Sequence, residues 1–550
     1  MLREFIEQLD KLPQKSFSKS TLINPTKPLI GVISAQNDLS ATHNQLSIVA
    51  QQVCNGVSAA GGTPKVAFVP SVESTILKNE YAGKYELPIR DLVSDAVETI
   101  CSTGYYDGIV CVASEPNLIA GMLIGVIRVN IPCLFVCQGT ATPITFENAE
   151  YGYELGFEQI IKIKSGQTTY DKLAQIENSY PICSGTNCNS YSANSFSCIL
   201  ESFGLSFKSN GTAPAGTPER YNIAFETGKL IIDFTSQKCT PRRLINYDSL
   251  CNATSIDMSC GGSSTTLLNL IAIAKELGIK NFTLKTISDI GKYTPTLLAK
   301  QDNNKCMMPQ FHQAGGVYGI IKALYSGKII KGDVTVGLED TIEQVANEAK
   351  IYNGEVIRTC DNRLYDSSRM RVLYGNVADG GCIVKYNSTP VFSGKAKVYE
   401  TENMAIDAIL HREIKKGDVL VIRGEGPRSC PGMREIYMAA ALLQGSELNN
   451  EVALITDGRI SDVFEGFSVG HITPETGEQS IFSVLQDGDE IEISIPKGKI
   501  TCEINSRTAQ QRLRNMENSP NAFSNAYLKN WAKRCSTASD GCVLKTKNSK

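Results

Sequence analysis

The stretch GIVCVASEPNLIAGMLIGVIRVNIPCLFVC, residues 108–137, decides the fold. Gly108 to Val112 form an apolar run of strand length. Ala113-Ser114-Glu115-Pro116 breaks it, and Leu118, Met122 and Ile124 to Val126 then return at helical spacing. Pro116 suits the first turn of a helix, where its missing N–H leaves no bond unmade. After Asn130-Ile131 a second apolar strand follows, PCLFVC, 132–137. Strand, helix over 117–129 and strand make a unit whose two strands lie parallel. Sheets of that kind bind ligands at the loops leaving their strands' carboxyl ends, so the turn 113–117 is a candidate site.

Working outward, KPLIGVIS (27–34) predicts a buried strand. A helix-period segment runs from about His43 to Ala60 and stops at Gly61-Gly62, and PKVAFVP (64–70) predicts the next strand. Two such units argue for a parallel sheet covered by helices. Helical patterns recur over Ser192–Phe203, Ser264–Leu277 and Gly315–Ser326, while SNGTAPAGTPER (209–220) reads as a loop. The texture changes after about residue 355. GGCIVKYNSTPVFSGKAKVYE, GDVLVIRGEG, EVALITDGRI and GDEIEISIPKGKITCEI are short strands split by Gly, Asp, Asn and Pro. The expected organisation is therefore an N-terminal α/β domain over 1–355 and a mainly-β domain over 356–550. Helices are expected in the second near Asn403–Glu413 and Ala522–Ala532.

Composition narrows the function classes. The 550 residues are 42% hydrophobic and 20% charged, with 54 basic and 57 acidic side chains. No basic block stands out, which argues against a nucleic-acid partner. The most apolar span, Leu118 to Cys137, is interrupted by Arg128, Asn130 and Pro132, so no membrane segment is expected. The polar start, MLREFIEQLDKLPQKS, is unlike a signal peptide, and a cytoplasmic protein is expected. None of the 18 cysteines forms Cys-x-x-Cys, so they read as reduced, mostly buried thiols.

Two segments of the second domain carry chemistry-bearing residues. RGEGPRSCPGMRE (423–435) is too rich in Gly and Pro for regular structure. It reads either as a tight loop or as a backbone cradle with Arg423, Glu425, Arg428, Arg434 and Glu435 facing a ligand. TDGRISDVFEGFSVGHITPE (456–475) has a strand ending at Thr456 and a turn presenting Asp457, Arg459, Ser461 and Asp462. Alone, Ser461 reads as a turn or cap serine before it reads as a base. The P-loop, the Gly-x-Ser-x-Gly elbow and any His-x-x-x-His pair are absent.

In order and spacing, these segments resemble the dihydroxy-acid dehydratase and 6-phosphogluconate dehydratase family. The resemblance rests on NGTAPAGTPER, CGGSSTTLLNLIAIAKELGI (260–279), FHQAGGV (311–317) and VLYGNVADGGCIVK (372–385). It continues through GEGPRSCPGMRE, TDGRISD with GHITPE, and WAKRCSTASDG (531–541). It implies a homodimer, a swivelling, barrel-like second domain, and dehydration of dihydroxy acids or sugar acids to 2-keto acids. It also implies an iron–sulfur cluster on three cysteines that takes the leaving hydroxyl, a magnesium ion on the substrate, and a serine base. Hydroxide leaves poorly and the C2 proton is weakly acidic, so Lewis acids at both ends answer a physical need.

Carried over residue by residue, the resemblance puts Thr42 at the first cluster cysteine. Glu115, Pro116 and Asn117 stand at its Cys-Asp-Lys triplet, whose Asp and carbamylated Lys hold magnesium. Asn187 stands at the third cysteine, with Cys188 one residue away. Tyr81, with Glu80 beside it, stands at another magnesium carboxylate. Glu435 matches the last metal carboxylate and Ser461 the base, although Asp462 and Val463 replace the glycines that usually follow. The expectation is a member without the iron–sulfur cluster, with magnesium or another divalent ion left to Glu435 and neighbouring carboxylates. A cluster moved to Cys111, Cys137, Cys183 or Cys188 has no spacing to recommend it. The expected ligand is a small polar acid held by Arg423, Glu425, Arg428, Asp457, Arg459 and Asn187. Ser461 is the candidate base, and Glu115 a new general acid or base or, equally, a carboxylate placed at a helix start for its dipole. The alternatives are a non-catalytic paralogue and a conventional dehydratase.

Overall fold

Four apolar segments build the first sheet: β1 Leu29–Ser34, β2 Thr63–Phe68, β3 Gly108–Val112 and β4 Cys133–Val136. The computed structural model describes residues 26–40, 43–72, 82–103, 105–147, 149–152, 155–164, 166–179, 185–188, 191–299, 307–386, 390–429, 431–515 and 525–545. All four strands run parallel, in the order β2-β1-β3-β4. β1, β3 and β4 are buried throughout, as unbroken apolar strands should be when helices cover both faces.

The helices over 46–59, 116–129, 191–202, 264–276 and 316–326 follow the predicted periods to within a few residues, while those over 88–103, 218–236 and 247–259 are helices no predicted period announced. They are α1 Leu46–Ala59, α2 Pro88–Thr103, α3 Pro116–Val129, α4 Tyr191–Ser202, α5 Pro218–Ser236, α6 Tyr247–Ser259, α7 Ser264–Glu276 and α8 Gly316–Ser326. Pro116 opens α3, and every residue from Asn117 to Ile127 is buried. Two glycines on α3 let α2 come close. A Cβ on Gly121 would overlap the Arg90 carbonyl oxygen, and one on Gly125 would lie 2.7 Å from Val97 Cβ. The stretch 209–220 is not all loop. Thr217 caps α5 by accepting from the Arg220 N–H at 3.2 Å, and Pro218 takes its first turn.

The second domain closes into an eight-stranded barrel. Its strands are β5 Met370–Gly375, β6 Ala378–Lys385, β7 Val391–Tyr399, β8 Asp418–Ile422, β9 Ala453–Thr456, β10 Phe467–Thr473, β11 Glu490–Ser494 and β12 Lys499–Cys502. They pair in the order β6-β10-β9-β8-β7-β11-β12-β5. β7 to β10 are parallel neighbours, so the chain must cross over between them. Helix α9 Glu402–Leu410 makes the first crossover and the short helix Met438–Gln444 the second. A terminal helix, α10 Ala526–Arg534, packs back towards the first domain: Trp531 Nε1 donates to the α2 residue Asp91 at 2.7 Å. No helix among the described residues is long and apolar enough to cross a membrane.

Candidate active site

The strand order places the turn 113–117. From β1 the chain moves outward to β2 and then returns to the other side of β1 as β3. The loops after β1 and β3 therefore leave the sheet at its topological switch point. Ala35 donates to the Val112 carbonyl at 3.0 Å and Ala113 to the Val136 carbonyl at 3.1 Å, so the loops after β1, β3 and β4 open side by side. Ser114 Oγ accepts from the Gln138 N–H at 2.9 Å. The 185–188 segment joins from β4's side, with Thr186 donating to the Gly139 carbonyl at 2.9 Å.

Within the turn, Glu115 is the half-buried residue preceding α3, and its side chain makes no cap bond. Asn117 is buried, and its Oδ1 accepts from Asn269 Nδ2 of α7 at 3.0 Å. Asn269 Oδ1 in turn accepts from Arg90 at 3.2 Å. Arg90 is fully buried and also donates to the carbonyls of Gly541 and Cys542, at 3.0 and 2.6 Å. Asn187 accepts at its carbonyl from Asn194 Nδ2 at 2.7 Å, and the buried Cys188 accepts at its carbonyl from the Met308 N–H at 2.6 Å.

The barrel contributes the loops at the carboxyl ends of β8 and β9. Arg459, 2% exposed, crosses the domain boundary. Its guanidinium donates to the Met433 carbonyl at 2.9 Å and to Thr265 Oγ1 of α7 at 3.2 Å, and pairs with Glu86. Glu435 lies 4.0 Å from the same guanidinium. Ser461 is buried, and its Oγ accepts from the Val463 N–H at 3.5 Å, the turn geometry expected of an isolated serine. Asp457 joins the two loops by accepting from the backbone N–H groups of Glu425 and Thr476, both at 2.9 Å. Burial pushes its carboxyl up to about 6 against those two bonds. Glu425 and Glu402 pair with Arg434 at 3.2 and 2.7 Å.

The structure therefore brings Arg459 to α7, with Glu435 4.0 Å from its guanidinium and Ser461 two residues further along the chain. Arg423 and Arg428 are engaged elsewhere. Arg423 pairs with Glu400 and donates to the Ser483 and Leu485 carbonyls at 2.9 and 3.0 Å. Arg428 donates to Glu475 at 2.8 Å and pairs with Glu478. The contacts these two arginines make hold their own loops together. Thr42, Glu80, Tyr81 and Cys183 lie outside the described residues.

Helix α7 joins the two walls. Thr265, which meets Arg459, and Asn269, which meets Asn117, share one helix face about 6 Å apart along the axis. Sequence reasoning missed Glu86, Thr265 and Asn269. Glu86 and Arg459 are 373 positions apart, and no local pattern links them.

The family model described as dihydroxy-acid/6-phosphogluconate dehydratase N-terminal matches residues 27–345, and its C-terminal counterpart matches 355–542. The chain belongs to the dihydroxy-acid/6-phosphogluconate dehydratase family. It is 33% identical over 545 residues to the dihydroxy-acid dehydratase of Pyrococcus furiosus, covering 98% of each chain. To the dihydroxy-acid dehydratase of Desulfosudis oleivorans it is 34% identical over 552 residues, covering 98% of this chain and 99% of that one. The relative of the same name from Caldanaerobacter subterraneus is 32% identical over 524 residues, covering 94% of each.

The donors at the switch-point turn do not fit the cluster that the family resemblance implies. Proline has no ligating side chain, and Pro116 forms the first turn of α3. Asn117 has an amide in place of a carbamylated amine, and its oxygen already accepts from Asn269. Among the described residues, no three His, Cys, Asp or Glu side chains are grouped to hold a metal ion. Of the cysteines described, Cys111, Cys133 and Cys198 have thiols raised well above their usual range by burial, which disfavours the thiolate a cluster needs.

Proposed function

We propose a hydro-lyase-like enzyme that takes a small polar hydroxy acid, of the dihydroxy-acid or sugar-acid class, between the switch-point loops and the barrel loops. Ser461 would remove the proton beside the carboxylate as its alkoxide, which a divalent ion held by Glu435 would stabilise, and the reaction runs without a cluster held by three thiolates. The observation that carries this reading is the pairing of a barrel wall in which Arg459 is tied to Glu86 and Thr265 with a turn whose residues are Glu115, Pro116 and Asn117. Without a Lewis acid at the departing group, that group must be protonated as it leaves or be intrinsically easier to expel, as a phosphate is. In this reading Glu115 would supply a proton, and Glu435 would be the carboxylate for a divalent ion.

A conventional dehydratase is the second reading, favoured by identity of 33% over 98% of a protein named dihydroxy-acid dehydratase. Iron and acid-labile sulfide measured on anaerobically purified protein separate the two. The proposal expects neither in stoichiometric amount; finding both would establish the conventional enzyme. The same preparation, offered dihydroxy acids, sugar acids and their phosphates, is expected to release a 2-keto acid from one of them. Binding without turnover would instead point to a non-catalytic paralogue. We also propose a homodimer, which a monomeric mass at micromolar concentration would refute.

A further inference from the structure

Asp257, in the last turn of α6, is fully buried at the domain boundary. Its Oδ2 accepts from the Ser263 N–H at 3.0 Å, while Oδ1 meets no hydrogen-bond donor among the described residues. Gly262 lets the barrel close on it. A Cβ built there would lie 3.1 Å from the Met370 side chain and 3.6 Å from Asp257 Oδ2. Met370 pairs in register with Lys385 where β5 meets β6. Lys385 Nζ donates to Asp462 Oδ1 at 2.5 Å, and Asp462 follows Ser461 directly.

Two further ionisable groups face Asp257, Tyr191 and Cys198, and Cys260 lies beside both of them. Burial raises Tyr191 and Cys198 well above their usual values, so both stay neutral. Asp257's own carboxyl is pushed up to about 8, chiefly by burial, with Asp462 adding to the rise and the Ser263 N–H and Lys385 opposing it. At neutral pH it holds its proton. Ionised, it would set a second, fully buried carboxylate against the single ammonium of Lys385, whose pair with Asp462 is itself partly exposed, and like charges so placed repel.

We propose that Asp257 is a positioning residue for Ser461: as a neutral acid it leaves Lys385 to Asp462, and that pair holds the Ser461–Asp462–Val463 turn. Its consequence for chemistry rests on Ser461 being the base. When Asp257 loses its proton, Lys385 is drawn towards it and the turn loosens. In the resembled family glycine follows the serine, so Asp462 gives this chain a clamp that glycine cannot form.

The test is hydrogen–deuterium exchange of residues 459–466 in the whole protein, corrected for the intrinsic pH dependence of exchange. In the wild type, exchange is expected to rise by up to about tenfold per pH unit above about pH 8, the limit for one linked proton. Asp257→Asn keeps a neutral side chain of the same shape and is expected to flatten that rise. An equal rise in both proteins would overturn the proposal, and so would a turn already loose at pH 7 in the Asp257→Asn protein. Should Asp257→Asn fail to fold, Asp462→Gly serves: its exchange is expected to be fast and flat with pH, and a retained wild-type rise would overturn the proposal. Turnover of a 2,3-dihydroxy acid is read in parallel. The expected exchange profile with full turnover retained in a Ser461→Ala protein, on whichever dihydroxy acid, sugar acid or phosphate the wild type turns over, refutes the Ser461 reading alone; wild-type turnover with a flat exchange profile refutes the positioning role alone.

Discussion

Both walls of the site are loops at the carboxyl ends of parallel strands, β1, β3 and β4 on the sheet side and β8 and β9 on the barrel side. They use their polar residues differently. On the barrel wall, charged side chains cross the boundary: Arg459 reaches Glu86 and Thr265, with Ser461 and Glu435 beside it. On the sheet wall the residue that meets α7, Asn117, is neutral, with Arg90 behind it and the one carboxylate of the turn, Glu115, at the start of α3. Arg90 bonds to α7 and to the C-terminal segment. Under the proposed reading, the sheet-wall turn has become part of the scaffold and the chemistry rests with the barrel wall. Each prediction below strains one side of that contrast.

The largest effect is expected from Arg459→Met. It leaves Glu86, 6% exposed, without its guanidinium partner, and breaking a buried pair from one side costs about 3–5 kcal/mol. Urea unfolding measures it. A loss under about 1 kcal/mol, the size of an exposed pair, would mean that the barrel wall is not anchored through this residue.

Asn269→Leu cuts the sheet wall. It removes the partner of Asn117 and one acceptor of Arg90, though Arg90 keeps its two backbone carbonyls. About 1–3 kcal/mol should be lost on unfolding, the cost of a buried amide left unsatisfied. Were the loss as large as that for Arg459→Met, the two walls would be equally dependent on α7.

Acid should act on the barrel wall through His471. It lies on β10, with its backbone N–H donating to the Gly458 carbonyl at 2.8 Å. Burial, with Arg459 adding to it, lowers its pKa from 6.5 to about 3. Between those values the unfolded chain takes up a proton that the folded chain refuses, so stability is lost as pH falls from about 6.5 towards 3. The loss from this group is about 1.4 kcal/mol by pH 5.5. Replacing His471 by Gln should flatten that limb of a melting-temperature profile, and an unchanged acid limb would remove His471 from the account.

Legibility in the sequence followed the range of the interactions involved. β3, α3 and β4 were readable to within a residue or two because apolar runs and Pro116 report on chain neighbours. The start of α5 was missed. Thr217-Pro218-Glu219 is a helix-start signal, but the glycines and prolines just before it outweighed it. A β-rich second domain was readable from its punctuation. Its closure was not, because β6 pairs with β10 about ninety residues on, as in Gly381 with Thr473, and no local period records that. The site divided the same way. Motif spacing pointed to Ser461, Glu435 and Arg459, while Glu86, Asn269 and Asp257 are defined by what the fold brings to them. Arg423 and Arg428 look like ligand residues in a glycine-rich loop, and only the structure supplies Glu400, Glu475 and Glu478.

Glu115→Gln is expected to have the smallest effect on stability and to decide the most about the sheet wall. Glu115 sits at the start of α3, where a carboxylate faces the positive end of the helix. Losing that charge costs about 0.3–1 kcal/mol, less at high salt. Gln keeps the shape and the oxygen but cannot transfer a proton at neutral pH. A purely structural Glu115 therefore predicts a small stability loss, screened by salt, with turnover unchanged. A general acid or base predicts the same small loss with kcat lowered by about 10²–10⁴, and the corresponding limb of the pH–rate profile removed. The second outcome would put chemistry back on the sheet wall, one residue before the proline that excludes a ligand there. The first would leave the chemistry to the barrel.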